Sequence, residues 1–335
     1  MNIKIIKCPV YTYVNLPPLC QRFTNNSLFQ RLNRVKQLGL CYYIYPSAVH
    51  TRKEHSLGVM HLTGLVIDHL RNFVSISDRE KDLIQLAGLY HDIGHLAYSH
   101  MFDDYLKEVN LNELTGHITD ENIKYFQLLE HEERSIHILQ KVNKQLEFPL
   151  TDNEIKFIEC IIMGYKPEDD DRWYLYEIVS NSLCGIDTDK MDYLYRDAYH
   201  TGLPNFQPFY IINGMRVDQK TNHIVFKEKT RIDIDDMFKT RHRMFVQVYK
   251  HHTSEKICKI YKCAMKKVGY QLYQYGIMTD DMNIETLLRN NPSTSFLMEK
   301  IDCRNLEHEC SNCQEYNTYI PIKKSGGVEQ VIFIQ

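Results

Sequence analysis

Apolar residues recur at helical spacing through most of this chain, whereas β-branched and aromatic runs are few and short. A spacing of three to four residues is typical of helices that bury one face. Helices are predicted at about residues 26–38, 50–67, 78–91, 128–139, 152–162 and 233–259. The pattern therefore predicts a mainly α protein, a helical bundle with short β-strand and hairpin additions.

The remaining segments carry strand, turn or loop signals. Strands or extended arms are predicted at residues 3–6, 10–14, 320–322 and 328–334, with a hairpin at 215–227. Residues 41–46 are expected to form a short strand or turn, and Pro17 and Pro18 to halt the first extended segment. Surface loops are predicted at residues 104–124 and 166–172, where the composition is polar.

Composition limits the class of protein. With 335 residues, 43% hydrophobic and 25% charged, the chain is expected to fold as a soluble globular protein. Its 40 basic and 43 acidic residues give a net charge of -3, so nucleic-acid binding is possible but not indicated, and any phosphate site must be local. Neither a signal peptide nor a run of about 18 apolar residues is present, which predicts an intracellular protein, cytoplasmic or nuclear, that does not enter a membrane.

Ten cysteines are scattered along the chain, mostly in apolar surroundings, which favours reduced thiols over a disulfide framework. Only Cys303, Cys310 and Cys313 cluster, and His308 lies among them. These four residues have the donor types of a small zinc site, but a single Cys-x-x-Cys pair is a weak signal. The sequence leaves that site open.

The strongest chemical signal is the adjacent pair His91 and Asp92, which ends an apolar helical run. An imidazole nitrogen beside a carboxylate oxygen is a suitable pair of ligands for a divalent metal, although such a dipeptide can equally be an ordinary helix end. Two further histidines, His95 and His100, follow Gly94 closely. Imidazoles at such density can donate to phosphate oxygens and transfer protons.

Other polar residues could complete a site. His55 lies at a predicted helix start beside Arg52, where a histidine is more often a cap or core residue, although the arginine suits an anion. His131 could be an ordinary exposed helix residue, and Gln37 could lie on a solvated face or point into a pocket.

Residues 185–197 contain four aspartates among apolar neighbours, and buried carboxylates require cations or donors. The segment supplies a further carboxylate for a site built from His, His-Asp and Asp.

Taken together, His55, His91, Asp92 and Asp189 resemble the metal-site signature of the HD-domain metal-dependent phosphohydrolases. The similarity is greater to the deoxynucleoside triphosphate triphosphohydrolase branch and extends from about Lys4 to Asn305. The similar blocks are residues 29–32, 36–39, 50–58, 91–103, 176–181 and 185–197. Two motifs are specific in this order: Arg-x-x-His-Ser-Leu-Gly-Val at 52–59 and His-Asp-Ile-Gly-His at 91–95.

The resemblance implies hydrolysis of a deoxynucleoside triphosphate to deoxynucleoside and inorganic triphosphate. It implies a divalent metal, iron, manganese or zinc, with magnesium possible, held by His55, His91, Asp92 and Asp189. It implies proton transfer by His131, oriented by Asp103. It places the triphosphate at Arg52, His95, His100, Lys190, Tyr193 and Arg241. It places the sugar at Gln37, Leu38, Asp197 and Tyr249, of which Leu38 and Tyr249 would crowd the 2′ position.

The resemblance also implies a domain plan, an HD-type catalytic domain over residues 1–305 and a short extension over residues 306–335. We expect no SAM domain and no C-terminal lobe of the family. In a nucleotide-activated relative, an aspartate and an arginine recognise a guanine nucleotide; here Asn25 and Asn33 occupy those positions, although Lys4 is retained. We therefore expect activity without a nucleotide activator, no family-type tetramer, and a possible homodimer. Phe245 replaces a histidine near the substrate, which leaves base preference open.

Two alternatives retain part of this chemistry. Another HD-type phosphohydrolase, acting on a nucleoside monophosphate, a cyclic nucleotide or a nucleic-acid end, would use the same metal ligands without needing Arg52, Lys190 and Arg241 together. A non-catalytic homologue would bind nucleotide or nucleic acid without turnover. Release of intact inorganic triphosphate would distinguish a deoxynucleoside triphosphate triphosphohydrolase from both alternatives.

Overall fold

The computed structural model describes residues 3–111, 117–306 and 331–334, and its fold is mainly helical. The helices are α1 (Pro18–Thr24), α2 (Ser27–Gln30), α3 (Arg52–Leu70), α4 (Asp78–Tyr90), α5 (His100–Lys107), α6 (Asp120–Gln127), α7 (His131–Asn143), α8 (Asp152–Met163), α9 (Trp173–Tyr176), α10 (Thr188–Thr201), α11 (Pro208–Gly214), α12 (Arg231–Met244), α13 (His252–Val268), α14 (Asp281–Asn290) and α15 (Ser295–Asp302). The strands are β1 (Lys4–Cys8), β2 (Thr12–Leu16), β3 (Met215–Val217), β4 (Ile224–Lys227) and β5 (Phe333–Ile334). The prediction of a mainly α protein is confirmed.

Helices α3 and α4 form the centre of the bundle, and α3 also packs against α10. Both helices begin with a capping box, Thr51 with Glu54 and Ser77 with Glu80, in which side chains satisfy the backbone groups of the first turn. Most of α4 after its first turn is buried, and the helix ends at Tyr90. His91 and Asp92, which follow the buried end of α4, therefore lie in the interior.

The prediction of one helix over residues 26–38 is wrong. The α-helical part is a single turn, α2, followed by two short 3-10 segments, Arg31–Arg34 and Gly39–Tyr43, and the second replaces the strand or turn predicted at 41–46. Between them the backbone is extended and Lys36 pairs with Thr51. The amide of Gln37 donates to the carbonyl of His50 at 3.0 Å, so tertiary contacts override the helical pattern.

The long helix predicted at residues 233–259 is also wrong, because the chain forms two helices. After α12 the backbone widens into a π-helical segment, Phe245–Tyr249, and α13 begins only at His252. Single-turn π segments inside helices are frequent at functional sites. Tyr249, the last residue of this segment, contacts Asp197.

The surface excursion predicted at 104–124 is only partly correct. Helix α5 and helix α6 occupy much of it, and their aromatic residues Tyr105 and Tyr125 are buried. Helix α1 was missed, because Pro18 does not stop a chain here but occupies the first helical turn, where proline needs no hydrogen bond.

The strands form two small sheets. β1 and β2 pair as an antiparallel hairpin, and β3, β4 and β5 form a three-stranded sheet in which β3 and β4 are the predicted hairpin. β5 confirms part of the predicted strand at 328–334, and the strand predicted at 320–322 lies outside the described residues.

The proposed zinc cluster cannot be placed, since three of its four residues lie outside the described ranges and Cys303 is exposed. None of the helices in the described part of the chain has both the length and the apolar character needed to span a bilayer.

Candidate metal centre and active site

Three buried side chains and one partly exposed carboxylate meet where three helices begin or end. His55 lies near the start of α3, His91 and Asp92 follow α4, and Asp189 lies in the first turn of α10. The Nε2 atoms of His55 and His91 are 3.3 Å apart, and Asp189 Oδ1 lies 3.1 and 3.3 Å from them. Asp92 oxygens lie 3.3 and 3.5 Å from the same two nitrogens. Each of the two histidine nitrogens thus lies close to both carboxylates, and the four side chains form one compact group.

These separations fit a single metal ion. Neighbouring donors about 2.1 Å from a shared ion lie about 3.0–3.5 Å from each other. The outer nitrogens are already used: His55 Nδ1 donates to Asp192 Oδ2 at 2.8 Å, and His91 Nδ1 donates to the Gly88 carbonyl at 2.8 Å. In the neutral rings, which are the metal-binding form, such bonds place the ring proton on Nδ1 and leave the Nε2 lone pairs directed at the common point. Two nitrogens and carboxylate oxygens form a donor set suited to a divalent transition metal.

The electrostatics of the group also favour a cation. Burial opposes ionisation of Asp189, but hydrogen bonds from His55 and His91 outweigh it and hold the pKa of the carboxyl well below its usual range. Burial lowers the pKa of His91, yet the adjacent Asp92 and Asp189 outweigh it and raise the pKa. The carboxylates are therefore ionised at neutral pH, and the group attracts positive charge.

A second group lies directly beside the first and contains His95, His100, Asp103 and His131, each with one donor atom within 4.8 Å of the others. The His95 and His131 rings stack at 4.0 Å with an 18° angle between their planes. Gly94 lets the loop approach α7 closely, because a Cβ there would lie 2.2 Å from the His131 carbonyl oxygen. His131 Nε2 lies 3.6 Å from Asp92 Oδ1, so the two groups are continuous.

Asp103 directly contacts His95, His100 and Arg134. Its Oδ2 lies 3.4 Å from His95 Nδ1 and 3.7 Å from His100 Nδ1, and its other oxygen accepts from Arg134. The ion pairs of the described residues do not join Asp103 to His131. Burial, with His95 next, lowers the pKa of His131 well below its ordinary value, although the charges of Asp92 and Asp103 act in the opposite direction.

Cationic side chains surround the metal group on one side. Arg52 donates from Nε to Ser99 Oγ at 2.9 Å and forms an ion pair with Asp92. Lys190 Nζ donates to Asp187 Oδ2 at 2.6 Å. Burial lowers the pKa of Lys190, but its aspartate neighbours outweigh this and keep the ammonium charged.

Tyr193 lies near the charged groups of Lys190 and Arg241. Burial raises the pKa of Tyr193 to about 12, and the charges of Lys190 and Arg241 act in the opposite direction. The Tyr193 hydroxyl is therefore protonated at neutral pH and can donate a hydrogen bond. The structure brings the six residues expected to contact triphosphate to one region around the two groups.

The four residues expected to contact a sugar also adjoin one another. Tyr249 donates its hydroxyl to Asp197 Oδ2 at 2.8 Å, and His50 Nε2 lies 2.7 Å from Asp197 Oδ1. Gln37 is bonded through its backbone to His50, and its side-chain Oε1 is buried without a hydrogen-bond partner among the described residues. Leu38 is partly buried beside it. His50 was not predicted, although its position before the 52–59 motif was visible.

Comparisons with known proteins bear on this arrangement. A profile described as the HD domain matches residues 52–196. That range contains His55, His91, Asp92 and Asp189. The chain belongs to the HD-domain family. The family predicted from the sequence motifs is therefore confirmed.

Several proteins are similar to this HD-domain chain over most of its length. A putative HD domain-containing protein, L394, of Acanthamoeba polyphaga mimivirus is 37% identical over 267 residues, which are 75% of this chain and 54% of that protein. Deoxynucleoside triphosphate triphosphohydrolase SAMHD1 is 32% identical in Bos taurus, over 91% of this chain and 58% of that protein, and 33% identical in Homo sapiens, over 87% and 50%. The chain thus spans about half the length of the curated relatives it matches.

Two buried arginines donate hydrogen bonds to the loop at residues 91–95, and neither arginine was predicted to do so. Arg31 donates to the carbonyls of Ile93, His95 and Thr279 at 2.6, 2.8 and 2.7 Å, and Arg134 Nε donates to that of Gly94 at 2.9 Å. Both arginines have no exposed side-chain surface. Charge pattern alone does not distinguish a solvated arginine from one that binds buried carbonyls.

Proposed function

We propose that this protein hydrolyses deoxynucleoside triphosphates to deoxynucleoside and inorganic triphosphate with the help of a divalent metal. The observation that carries the proposal is the grouping of the donor atoms of His55, His91 and Asp92 within 4.8 Å of one another, with Asp189 Oδ1 3.1 and 3.3 Å from the two histidine nitrogens. A triphosphate carries several negative charges, and the arrangement offers a matching set of positive groups. The names of the SAMHD1 relatives support the substrate class.

The metal would be held by His55, His91, Asp92 and Asp189. When bound, a divalent ion supplies charge neutralisation at the α-phosphate and lowers the pKa of water. Arg52, Lys190 and Arg241 then bind the remaining phosphate charge. Arg52 and Lys190 can do so without leaving Asp92 and Asp187, since guanidinium and ammonium groups carry several donors. These cations stabilise the negative charge on the phosphate oxygens as water adds to the α-phosphorus and the bond to the 5′-oxygen breaks.

A proton must reach the departing 5′-oxygen, and the proposed donor is a histidine of the second group. We assign the role to His131, whose Nε2 lies 3.6 Å from Asp92 Oδ1, with His100 as the competing candidate because His100 contacts Asp103. The substrate's negative charge favours the imidazolium form of either ring. Asp103 acts by holding His95 and His100 in place, and through them the stacked His131 ring.

Matched variants separate these roles. Asp103→Asn is expected to lower kcat at least about 10-fold because it disorders the acid group, whereas Asp104→Asn, at the exposed neighbouring position, leaves kcat unchanged. His131→Asn is compared with His137→Asn, a partly buried histidine on the same helix. A larger loss for His100→Asn than for His131→Asn would transfer the acid role to His100.

The sugar would lie between Gln37, Leu38, Asp197 and Tyr249. The buried Gln37 Oε1 can accept from a 3′-hydroxyl, and Asp197 retains lone pairs beyond those used by His50 and Tyr249. Because the Tyr249 ring is fixed by its hydrogen bond to Asp197, it cannot easily move aside for a 2′-hydroxyl. We expect a ribonucleoside triphosphate to be a poor substrate, by about 100-fold or more in kcat/KM.

We further propose that no guanine-nucleotide activator is required. Asn25 ends helix α1, and Asn33 is exposed, with its side-chain amide donating to Gln30 at 3.1 Å. Neither residue supplies the charges that bind an activating guanine nucleotide in the relative described above. The homodimer and the 1–305 catalytic domain remain predictions of the same resemblance.

The proposal is tested by incubating the purified chain with each deoxynucleoside triphosphate and Mn²⁺, with and without guanosine triphosphate, and quantifying deoxynucleoside. Turnover without the guanine nucleotide, abolished by Asp189→Ala, is expected. Turnover only after the guanine nucleotide is added would keep the enzyme and reject activator independence. Turnover of a nucleoside monophosphate or cyclic nucleotide instead would favour another HD-type reaction.

A further inference from the structure

The N-terminal hairpin reaches the candidate metal centre, although it lies outside the residues that match the HD domain. Tyr11, in the turn between β1 and β2, donates its hydroxyl to Asp192 Oδ1 at 2.7 Å across 181 positions of the chain. The other oxygen of Asp192 accepts from His55 Nδ1 at 2.8 Å. Two hydrogen bonds therefore connect Tyr11 to a residue whose Nε2 faces the common point.

Asp192 depends on these donors because it has no exposed surface. Oδ1 accepts from Tyr11 and from Arg196 Nη2 at 2.9 Å, and Oδ2 accepts from His55 and from Arg196 Nε at 2.9 Å. Burial opposes ionisation, but Arg196 and His55 outweigh it and lower the pKa of Asp192 to about 2. The carboxylate is thus an anionic acceptor whose orientation is set by three residues.

The Tyr11 side chain is held so that only its hydroxyl reaches Asp192. Arg196 lies over the ring at 5.5 Å, Tyr195 stacks on it at 6.0 Å, and Phe209 meets its edge at 6.3 Å. Burial, followed by the charge of Asp192, raises the pKa of Tyr11 well above its ordinary value. The hydroxyl therefore remains a donor across the physiological pH range.

We propose that Tyr11 is a positioning residue for the metal ligand His55, acting through Asp192. The hydroxyl balances the pull of Arg196 on Oδ1, and this balance keeps Oδ2 in line with His55 Nδ1. A ligand histidine whose outer nitrogen is well oriented binds metal more tightly. The inference rests on the proposed metal centre but not on the identity of the substrate.

The test uses metal-free full chain titrated with Mn²⁺ alone, followed by electron paramagnetic resonance of the free ion. Asp189→Ala removes a proposed ligand and serves as the reference for lost binding. Tyr11→Phe is expected to weaken Mn²⁺ binding about 3- to 10-fold, and Asp192→Asn about 10- to 100-fold, since the second change removes the direct partner of His55. Tyr13→Phe, a half-exposed tyrosine on the same hairpin, is the matched control and is expected to bind as wild type.

Two further readouts distinguish positioning from general support of the fold. The visible spectrum of the Co²⁺-loaded chain is expected to change in Tyr11→Phe and not in Tyr13→Phe, and the melting temperature of the metal-free variants is expected to differ by only a few degrees. Wild-type Mn²⁺ affinity and Co²⁺ spectrum in Tyr11→Phe would overturn the proposal. So would a weaker affinity accompanied by an equal loss of melting temperature with and without metal. A wild-type chain that binds no Mn²⁺ would reject the metal centre itself.

Discussion

Gly58 lies in the sequence motif at residues 52–59, and its substitution tests the close packing that the structure shows at this position. It lies one turn after His55 on α3, where the buried Asp192 and Arg196 pack against the helix. A Cβ added at Gly58 would lie 1.9 Å from Asp192 Oδ1 and 2.3 Å from Arg196 Nη2. Because neither partner has exposed surface, Gly58→Ala requires the ion pair to move.

The magnitude follows from three opposing contributions. Forcing a methyl group into a filled interior costs about 1–3 kcal/mol. Losing one charged hydrogen bond of the pair costs about 1.5–3 kcal/mol more. Alanine gains about 1 kcal/mol over glycine in a helix interior. The net loss of unfolding free energy is therefore about 1.5–5 kcal/mol.

The assay is urea unfolding of Gly58→Ala, with Gly64→Ala on the same helix as control. A Cβ at Gly64 would meet the Gln85 Nε2 at 2.5 Å, the far end of a flexible side chain that can give way. Gly64→Ala is expected within about 1 kcal/mol of wild type. Equal unfolding free energies for the two variants would refute the reasoning, since it depends on the fixed ion pair beneath Gly58.

Three further predictions concern buried charge and metal. Arg31→Met is expected to lower the unfolding free energy by at least about 3 kcal/mol, because buried carbonyls lose their donor. Arg34 is an exposed partner of Asp280, and Arg34→Met is expected to cost about 1 kcal/mol or less in the same assay. Equal losses in the two variants would contradict this. Burial raises the pKa of Asp281 to about 6, so the folded state binds the proton of this carboxyl more tightly than the unfolded state does. The protonated carboxyl therefore stabilises the folded state below about pH 4, and this contribution is lost as the pH rises through 6. The wild type should therefore lose up to about 3 kcal/mol relative to Asp281→Asn between pH 4 and 7, and a constant difference in urea unfolding would refute this. Removing metal with a chelator is expected to lower the melting temperature, and added Mn²⁺ to restore it, except in Asp189→Ala; an identical response of that variant would contradict the ligand assignment.

The helix boundaries that were predicted well have local causes. The helix predicted at 78–91 is observed at Asp78–Tyr90, because Ser77 and Glu80 form a capping box that is visible in the sequence. The hairpin at 215–227 was likewise predicted from its strand and turn residues. In both cases the residues that decide the structure are close in sequence.

The elements that were predicted incorrectly depend on distant contacts. The segment after α2 leaves the helical path because Lys36 pairs with Thr51, and the break after α12 brings Tyr249 to Asp197. Neither contact can be deduced from a hydrophobic pattern, which reports only that one face is buried.

The same distinction applies to the candidate site. The motifs indicated His55, His91 and Asp92, and the structure brings their donor atoms together. The groups that orient them were not apparent, because Asp192 is supported by Tyr11 from the N-terminal hairpin and Arg31 reaches the loop from another segment. Sequence spacing shows which residues can bind a metal, while their supporting partners are set by tertiary packing.

In the proposed reaction, water attacks the α-phosphorus of a deoxynucleoside triphosphate at this centre. Turnover in ¹⁸O-labelled water, with the products analysed by mass spectrometry, tests this step. We expect intact inorganic triphosphate that carries one ¹⁸O atom, together with unlabelled deoxynucleoside. Label in the deoxynucleoside, or release of orthophosphate or pyrophosphate in place of triphosphate, would contradict it.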